Sequence, residues 1–286
     1  MTEPTAGRLR VKGATLHYEV RGHGPLLLLI PGGAGGAASF DGVAGDLAVE
    51  YTVATYDPRG MSRSALDDPD PDPAHAPGPE QRVAEHADDA LRMLDLLSPG
   101  EPARVFGTSS GAIAAVHLLT VHPERVERLV AHEPPLVEVL PDAPEHRALL
   151  ARVRETFRDD GLMPAMAVFA AGLKKPGDTT GPKAAVTLPP QAAARAERTM
   201  ANLPYFLERI VPAFMSYAPD IDRLVAQSHR LVLACGRDSR GELPYRPAAF
   251  LAERLGTDLL HFPGGHTGLT THPVEFGERL RQAFHA

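Results

Sequence analysis

With a single cysteine, Cys235, among 286 residues, the chain can form no intrachain disulfide and no cysteine-rich metal site. Cys235 sits in the apolar run LVLAC and is expected to be a small core residue. Long apolar runs are also missing. The longest obvious one, Leu26 to Ile30, falls far short of the roughly 20 residues that span a bilayer, and the opening MTEPTAGRLRVKG has no apolar signal core. The expectation is a cytoplasmic protein with no membrane partner. Basic stripes are absent as well: the formal net charge is -7, and Lys and Arg are scattered among acidic residues, which argues against nucleic acid as a partner. No internal repeat of fixed period is visible.

What is present is enough apolar content, 43%, for a large core. Short β-rich runs alternate with helical patterns, as in a mostly parallel sheet covered on both faces. Leu16 to Val20, Leu26 to Ile30, Thr52 to Tyr56, Arg104 to Phe106 and Arg128 to Ala131 read as strands. Val83, Ala87, Ala90, Leu91, Leu94 and Leu97 recur at helical spacing. The stretch Asp67 to Glu80, with five prolines among its aspartates, reads as an exposed loop. From Leu136 to Gln227 the rhythm turns helical, with breaks at Pro164, Pro176, Pro182, Pro189-Pro190 and Pro204. It then resumes with a strand over Arg230 to Cys235, a helix over Pro247 to Leu255, a strand over Asp258 to Phe262 and a helix over Val274 to Phe284. The organisation expected is a core formed by residues 1–135 and 228–286, with a helical insertion at 136–227.

The strongest chemical signal is Gly107-Thr108-Ser109-Ser110-Gly111, placed after the strand-like ARVF and before the helical AIAAVHLLTVH. A nucleophile on a sharp strand-to-helix turn needs small neighbours, and the following helix aims N–H groups at a developing oxyanion. A helix-capping serine is the plainer alternative. A rival motif lies upstream. Gly33-Ala34-Gly35-Gly36-Ala37-Ala38 fits a dinucleotide fingerprint with Asp57 about 20 residues on. Against it, the preceding strand ends in Pro31 and is not the first strand. A serine nucleophile needs a base. His266, in the glycine-rich Phe262-Pro263-Gly264-Gly265-His266-Thr267-Gly268 after the last strand, is the candidate; His122 and His272 precede prolines, and His23, His75 and His86 read as surface residues.

IPGG at Ile30–Gly33, DPRGMSRS at Asp57–Ser64, GTSSG at Gly107–Gly111 and PGGH at Pro263–His266, in that order, resemble the α/β-hydrolase fold superfamily over nearly the whole chain. The first departs from the usual His-Gly by having Pro31-Gly32. The second is similar to D-x-R-G-x-G-x-S but has Met61-Ser62. The resemblance implies Ser109 as nucleophile, His266 as general base, and the N–H groups of Gly33 and Ser110 as the oxyanion hole. It offers two positions for the acid. Asp238 follows the strand at Arg230 to Cys235; Glu133, in His132-Glu133-Pro134-Pro135, follows the strand at Arg128 to Ala131. Glu133 is favoured, because a glutamate 24 positions after the serine resembles zearalenone-type lactonases, whereas Asp238 sits one place too close to Gly236 and fits a turn cap.

The implied chemistry is two-step acyl transfer on a carboxylic ester or lactone, with no metal or organic cofactor. The insertion is expected to be a lid. Gly32, Met163, Met166, Phe169, Phe206 and Phe214 are candidates to line a pocket for a medium-sized hydrophobic small molecule, a zearalenone-like macrolactone being the specific case the resemblance suggests. More than half of the large apolar residues of the insertion are expected simply to hold it together. Cofactor-free perhydrolase or carbon–carbon hydrolase chemistry would use the same triad, and a ligand-binding protein on this fold would keep it idle. The oligomeric state is left open, a homodimer included.

Overall fold

In the computed structural model, which describes residues 3–68, 78–175 and 190–285, nine strands form one sheet. They are β1 (Thr5–Val11), β2 (Ala14–Arg21), β3 (Leu26–Ile30), β4 (Thr52–Tyr56), β5 (Ala65–Leu66), β6 (Ala103–Thr108), β7 (Val126–His132), β8 (Leu231–Gly236) and β9 (Leu259–Phe262). Their order is β1-β2-β4-β3-β6-β7-β8-β9, with the short β5 paired to β2. Pairing is antiparallel at β1, β2 and β5 and parallel from β4 through β9.

The helices are α1 (Asp41–Leu47), α2 (Pro79–Leu97), α3 (Ser110–Val121), α4 (Ala143–Asp160), α5 (Leu162–Leu173), α6 (Pro190–Tyr205), α7 (Val211–Met215), α8 (Ile221–Ala226), α9 (Tyr245–Leu255), α10 (Gly268–Thr271) and α11 (Pro273–His285). Why β3 is an unbroken apolar run follows from the packing. Leu27 and Leu29 join Phe106, Val130 and residues of α1 and α11 on one face, while Leu26, Leu28 and Ile30 join Val105, Leu129 and residues of α2 and α3 on the other. Both faces of the strand are buried, so alternation gives way to continuous hydrophobicity. Burying each such side chain contributes about 1.5–3 kcal/mol. No helix among the described residues is long and apolar enough to cross a membrane.

Several expectations shift. β1 escapes sequence reading because it is an edge strand with mostly exposed side chains, and its alternation, Leu9 and Val11 covered against exposed Arg8 and Arg10, spans only four residues; the turn through Gly13 (φ 77°) pairs it with β2. The proline-rich loop is shorter than Asp67 to Glu80: α2 starts at Pro79, where the missing N–H costs nothing at the first helical position. Residues 69–77 of that loop lie outside the described residues, as do Pro176, Pro182 and Pro189.

Between β7 and β8 the described chain holds only helices. Pro204 and Pro212 bracket a π-helical turn, Phe206–Ile210, whose wide ladder lets Phe206, Leu207 and Ile210 all face inward. The parallel register has one consequence for chemistry. The loops after β3, β6, β7, β8 and β9 all leave from the same edge of the sheet, where ligands of open α/β sheets bind.

Candidate active site

Ser109 stands between the end of β6 and the start of α3 with φ 53° and ψ −126°, a left-handed conformation that non-glycine residues rarely adopt. The turn is held by the Ser109 N–H donating to the His132 carbonyl, 2.9 Å. Its glycines are needed for close approach: a Cβ on Gly111 would lie 2.4 Å from the Pro31 carbonyl oxygen. Gly32, expected in the pocket, has the same kind of role, since a Cβ there would lie 2.2 Å from the Thr108 carbonyl oxygen and 2.6 Å from the Cβ of Ser109. It lets the loop after β3 lie directly against the serine turn.

The carboxylate that meets His266 is that of Glu133. Its Oε2 lies 2.6 Å from His266 Nδ1, and its Oε1 accepts hydrogen bonds from the Gly236 N–H, 2.9 Å, and from the Ser239 hydroxyl. Glu133 is fully buried and itself has φ 48°. Burial pushes its carboxyl upward, but the hydrogen bond from His266, the neighbouring His132 and the Ser239 hydroxyl outweigh it and hold the group below the usual glutamate range. Asp238 has a different place. Its side chain is exposed, and its N–H donates to the Gly264 carbonyl, 3.0 Å, which pins the loop carrying His266. The tight turn after Gly236 points Ser239, not Asp238, inward. Ser239 is completely buried and escaped sequence reading because it looks like part of an ordinary turn.

The His266 side chain is 27% exposed at the open edge of the sheet. Among the described residues no hydrogen bond links it to Ser109; such contacts often tighten only in a reacting complex. Gly33 has φ 61°, and its N–H donates to the Ser110 hydroxyl, 3.0 Å, rather than standing free. Ser110 opens α3, so its own N–H belongs to the first turn, which has no acceptor within the helix. A cavity of about 10 Å³ lies behind these two residues, lined also by Pro31, His86 and Phe214.

His86, expected at the surface, is buried there edge-on to Phe214, and burial lowers its pKa well below the ordinary histidine value. His132 is likewise buried, against Phe262 and Phe276, which pushes its pKa down to about 4 and keeps it neutral near pH 7. His86 falls on the apolar stripe of α2, three residues after Val83 and four before Ala90, and its burial runs against its polar ring rather than against the pattern; His132 ends β7, a strand buried at Leu129, Val130 and Ala131.

The apolar residues of the insertion divide. Phe169 and Phe206 are buried and meet edge to face at 5.7 Å, Phe214 is buried, and Met166 is half-buried against the same core. Met163 does not belong with them: it is 61% exposed. On α5 the inward stripe is Leu162, Ala165, Met166 and Phe169, and helical geometry puts Met163 with Ala167 and Ala170 on the outer side. The upstream glycine loop carries no free acid for a ribose. Both oxygens of Asp57 are engaged, Oδ1 by the Ala37 N–H at 2.8 Å and Oδ2 by Arg63 at 2.7 Å.

Comparison with known proteins agrees with this fold. A family described as having the alpha/beta hydrolase fold matches residues 25–224. An uncharacterized hydrolase, YraK, of Bacillus subtilis (strain 168) is 38% identical over 281 residues, covering 96% of this chain and 94% of that protein. A zearalenone hydrolase of Bionectria ochroleuca is 36% identical over 124 residues, 43% of this chain and 44% of that one. Among solved structures, a thermophilic esterase from Thermogutta terrifontis superposes with a TM-score of 0.71 over 99% of this chain and 98% of that one, at 18% identity, a likeness of fold.

Proposed function

We propose that this chain, which belongs to the α/β hydrolase fold family, is a serine hydrolase that cleaves a carboxylic ester or lactone through an acyl-enzyme. The observation that carries the reading is the fully buried Glu133 carboxylate bonded to Nδ1 of His266 at 2.6 Å, at the sheet edge where Ser109 stands on its strained turn. That bond orients the imidazole and leaves its Nε2 for the serine hydroxyl.

In the first step Ser109 Oγ forms a bond to the substrate carbonyl carbon while its proton passes to His266 Nε2. The carbonyl electron pair moves onto oxygen, where the Gly33 and Ser110 N–H groups receive it; the Ser110 hydroxyl, which accepts from the Gly33 N–H in the free protein, rotates aside and the oxyanion takes its place. Collapse of the adduct breaks the bond to the leaving oxygen, which takes the proton from His266. Water, activated by the same imidazole, then attacks the acyl group, and breaking the Oγ–acyl bond restores Ser109. Glu133 stabilises the imidazolium in both halves.

A medium-sized hydrophobic small molecule suits the apolar side chains of the insertion, which acts as a lid in this reading. A macrolactone related to zearalenone is the specific candidate, on the likeness to the zearalenone hydrolase. A cytoplasmic location belongs to the same proposal. The test is to incubate the protein with a fluorophosphonate probe and locate the label, then assay aryl esters, small lactones and macrolactones beside Ser109→Ala. Label on Ser109 and loss of turnover in the variant are expected. Undiminished turnover in folded Ser109→Ala would overturn the reading.

A further inference from the structure

A polar contact beside the oxyanion loop ties the insertion to the core. Asn202, on α6 and 5% exposed, donates through Nδ2 to the Ala34 carbonyl at 2.8 Å and to the Ser62 hydroxyl at 2.9 Å, and its Oδ1 accepts the Ser62 N–H at 2.8 Å. Every hydrogen-bonding direction of the amide nitrogen is thereby used, on two separate loops of the core. One turn further along α6, the Tyr205 ring covers Gly60, where a Cβ would lie 2.6 Å from Cζ. The end of α6 is seated between the loop after β3 and the loop after β4.

The two partners of Asn202 are unusual. Ser62 has φ 52°, a region that favours glycine, and it occupies the place of the second glycine in the D-x-R-G-x-G-x-S pattern. Asn202 holds both its N–H and its hydroxyl. Ala34 directly follows Gly33 within Gly32-Gly33-Ala34-Gly35-Gly36, a stretch with little conformational preference of its own. That stretch is anchored beyond its end by the Ala37 N–H on Asp57, and in its middle by Asn202. An oxyanion donor stabilises a transition state only if it is held in place beforehand.

We propose that Asn202 is a positioning residue for the oxyanion site: by clamping Ala34 to Ser62 it sets the direction of the Gly33 N–H, so the site is complete only while α6 of the insertion is seated. The inference rests on the serine-hydrolase reading and adds to it. A substrate that presses the insertion into its seat is then turned over faster as well as bound more tightly, whereas with a small ester the seating of α6 rests on Asn202, beside the loop's own bonds from Ala37 to Asp57 and from Gly36 to Ser39.

Two variants test this. Asn202→Asp keeps shape and can still accept from Ser62, but it replaces the donor to Ala34 with an oxygen facing a carbonyl. The double variant Asn202→Ala with Ser62→Gly removes the clamp and relieves the left-handed serine, so that it folds even if Asn202→Ala alone does not. The measurements are kcat and KM on 4-nitrophenyl acetate at matched folded concentration, together with Tm. The proposal expects kcat to fall roughly tenfold or more in both variants, with KM changed less than about twofold, while the Tm of the double variant returns close to that of the parent. If kcat recovers along with Tm in the double variant, or if Asn202→Asp turns over like the parent, Asn202 is a structural clamp only and the proposal falls. Ser109→Ala in the same assay separates the two claims. Its activity would refute the serine reading, whereas an inactive Ser109→Ala beside fully active Asn202 variants would refute this proposal alone.

Discussion

The open edge of the sheet and the helical insertion above it are stabilised in opposite ways. At the edge, Ser109 and Glu133 occupy left-handed backbone positions, and their partners are single, directional hydrogen bonds: Ser109 N–H to His132, Glu133 to His266, Gly236 and Ser239. In the insertion, Phe169, Phe206 and Phe214 are held by apolar packing with no directional bond. Strained, polar positions tolerate almost no substitution, while packed apolar ones tolerate many if volume is kept. If the proposed function holds, chemistry is fragile at the edge and selectivity adjustable in the insertion.

Breaking the edge at its centre should give the largest effect. Ser109→Ala and His266→Ala are each expected to lower turnover by a factor on the order of 10⁶ while leaving Tm close to the parent value, since triad members act as one unit. Steady-state assays at matched folded concentration check this, and folded variants that keep substantial activity would contradict the assignment.

The next effect distinguishes the two acid positions. Glu133→Gln should cost about 10⁴ in turnover, because an amide in place of the carboxylate favours the wrong imidazole tautomer. Asp238→Asn should retain most activity, its exposed side chain leaving the backbone bond to Gly264 intact. The opposite pattern would move the acid to Asp238.

Stability sharpens the other half of the comparison. Phe169→Ala should destabilise by about 3–5 kcal/mol through a cavity against Phe206, and Met163→Ala, on the outer side of α5, by less than about 0.5 kcal/mol. Urea unfolding of both measures the difference. A large loss with Met163→Ala would return that residue to the packed stripe.

The last expected effect is on pH dependence. His132 binds its proton at about pH 4 when folded, against an ordinary value of 6.5, so the unfolded chain takes up the proton first. Stability from keeping His132 neutral is complete above pH 6.5 and lost as pH falls from 6.5 toward 4. The lowered carboxyl of Glu133 adds a second loss at still lower pH, below the ordinary glutamate range. His132→Phe, which keeps an aromatic ring beside Phe262 and Phe276, should show a shallower fall in unfolding free energy between pH 6.5 and 4 than the parent. An unchanged slope would show that His132 is not the group responsible.

Much of this was legible in the sequence because it is local. A serine between glycines after a β-run, an apolar run in β3 whose length matches a doubly covered strand, and a helical rhythm over α2 all depend on backbone preferences within a few residues. The same locality explains the order of the four motifs along the chain, since each sits at the end of its own strand.

The choice between Glu133 and Asp238 was not of that kind. His266 and Glu133 are 133 positions apart, and which carboxylate meets the imidazole depends on the turn after β8, which directs Ser239 inward and Asp238 to solvent. The burial of His86 beneath Phe214 and the seating of Asn202 on Ala34 and Ser62, 168 and 140 positions away, likewise belong to contacts between distant segments. Sequence by itself determined where the backbone turns and which faces are apolar, because sterics and hydrophobic periodicity act between neighbours. Only the tertiary structure decided which polar groups meet, because a hydrogen bond needs its two ends within about 3 Å, a distance set by the packing of whole elements.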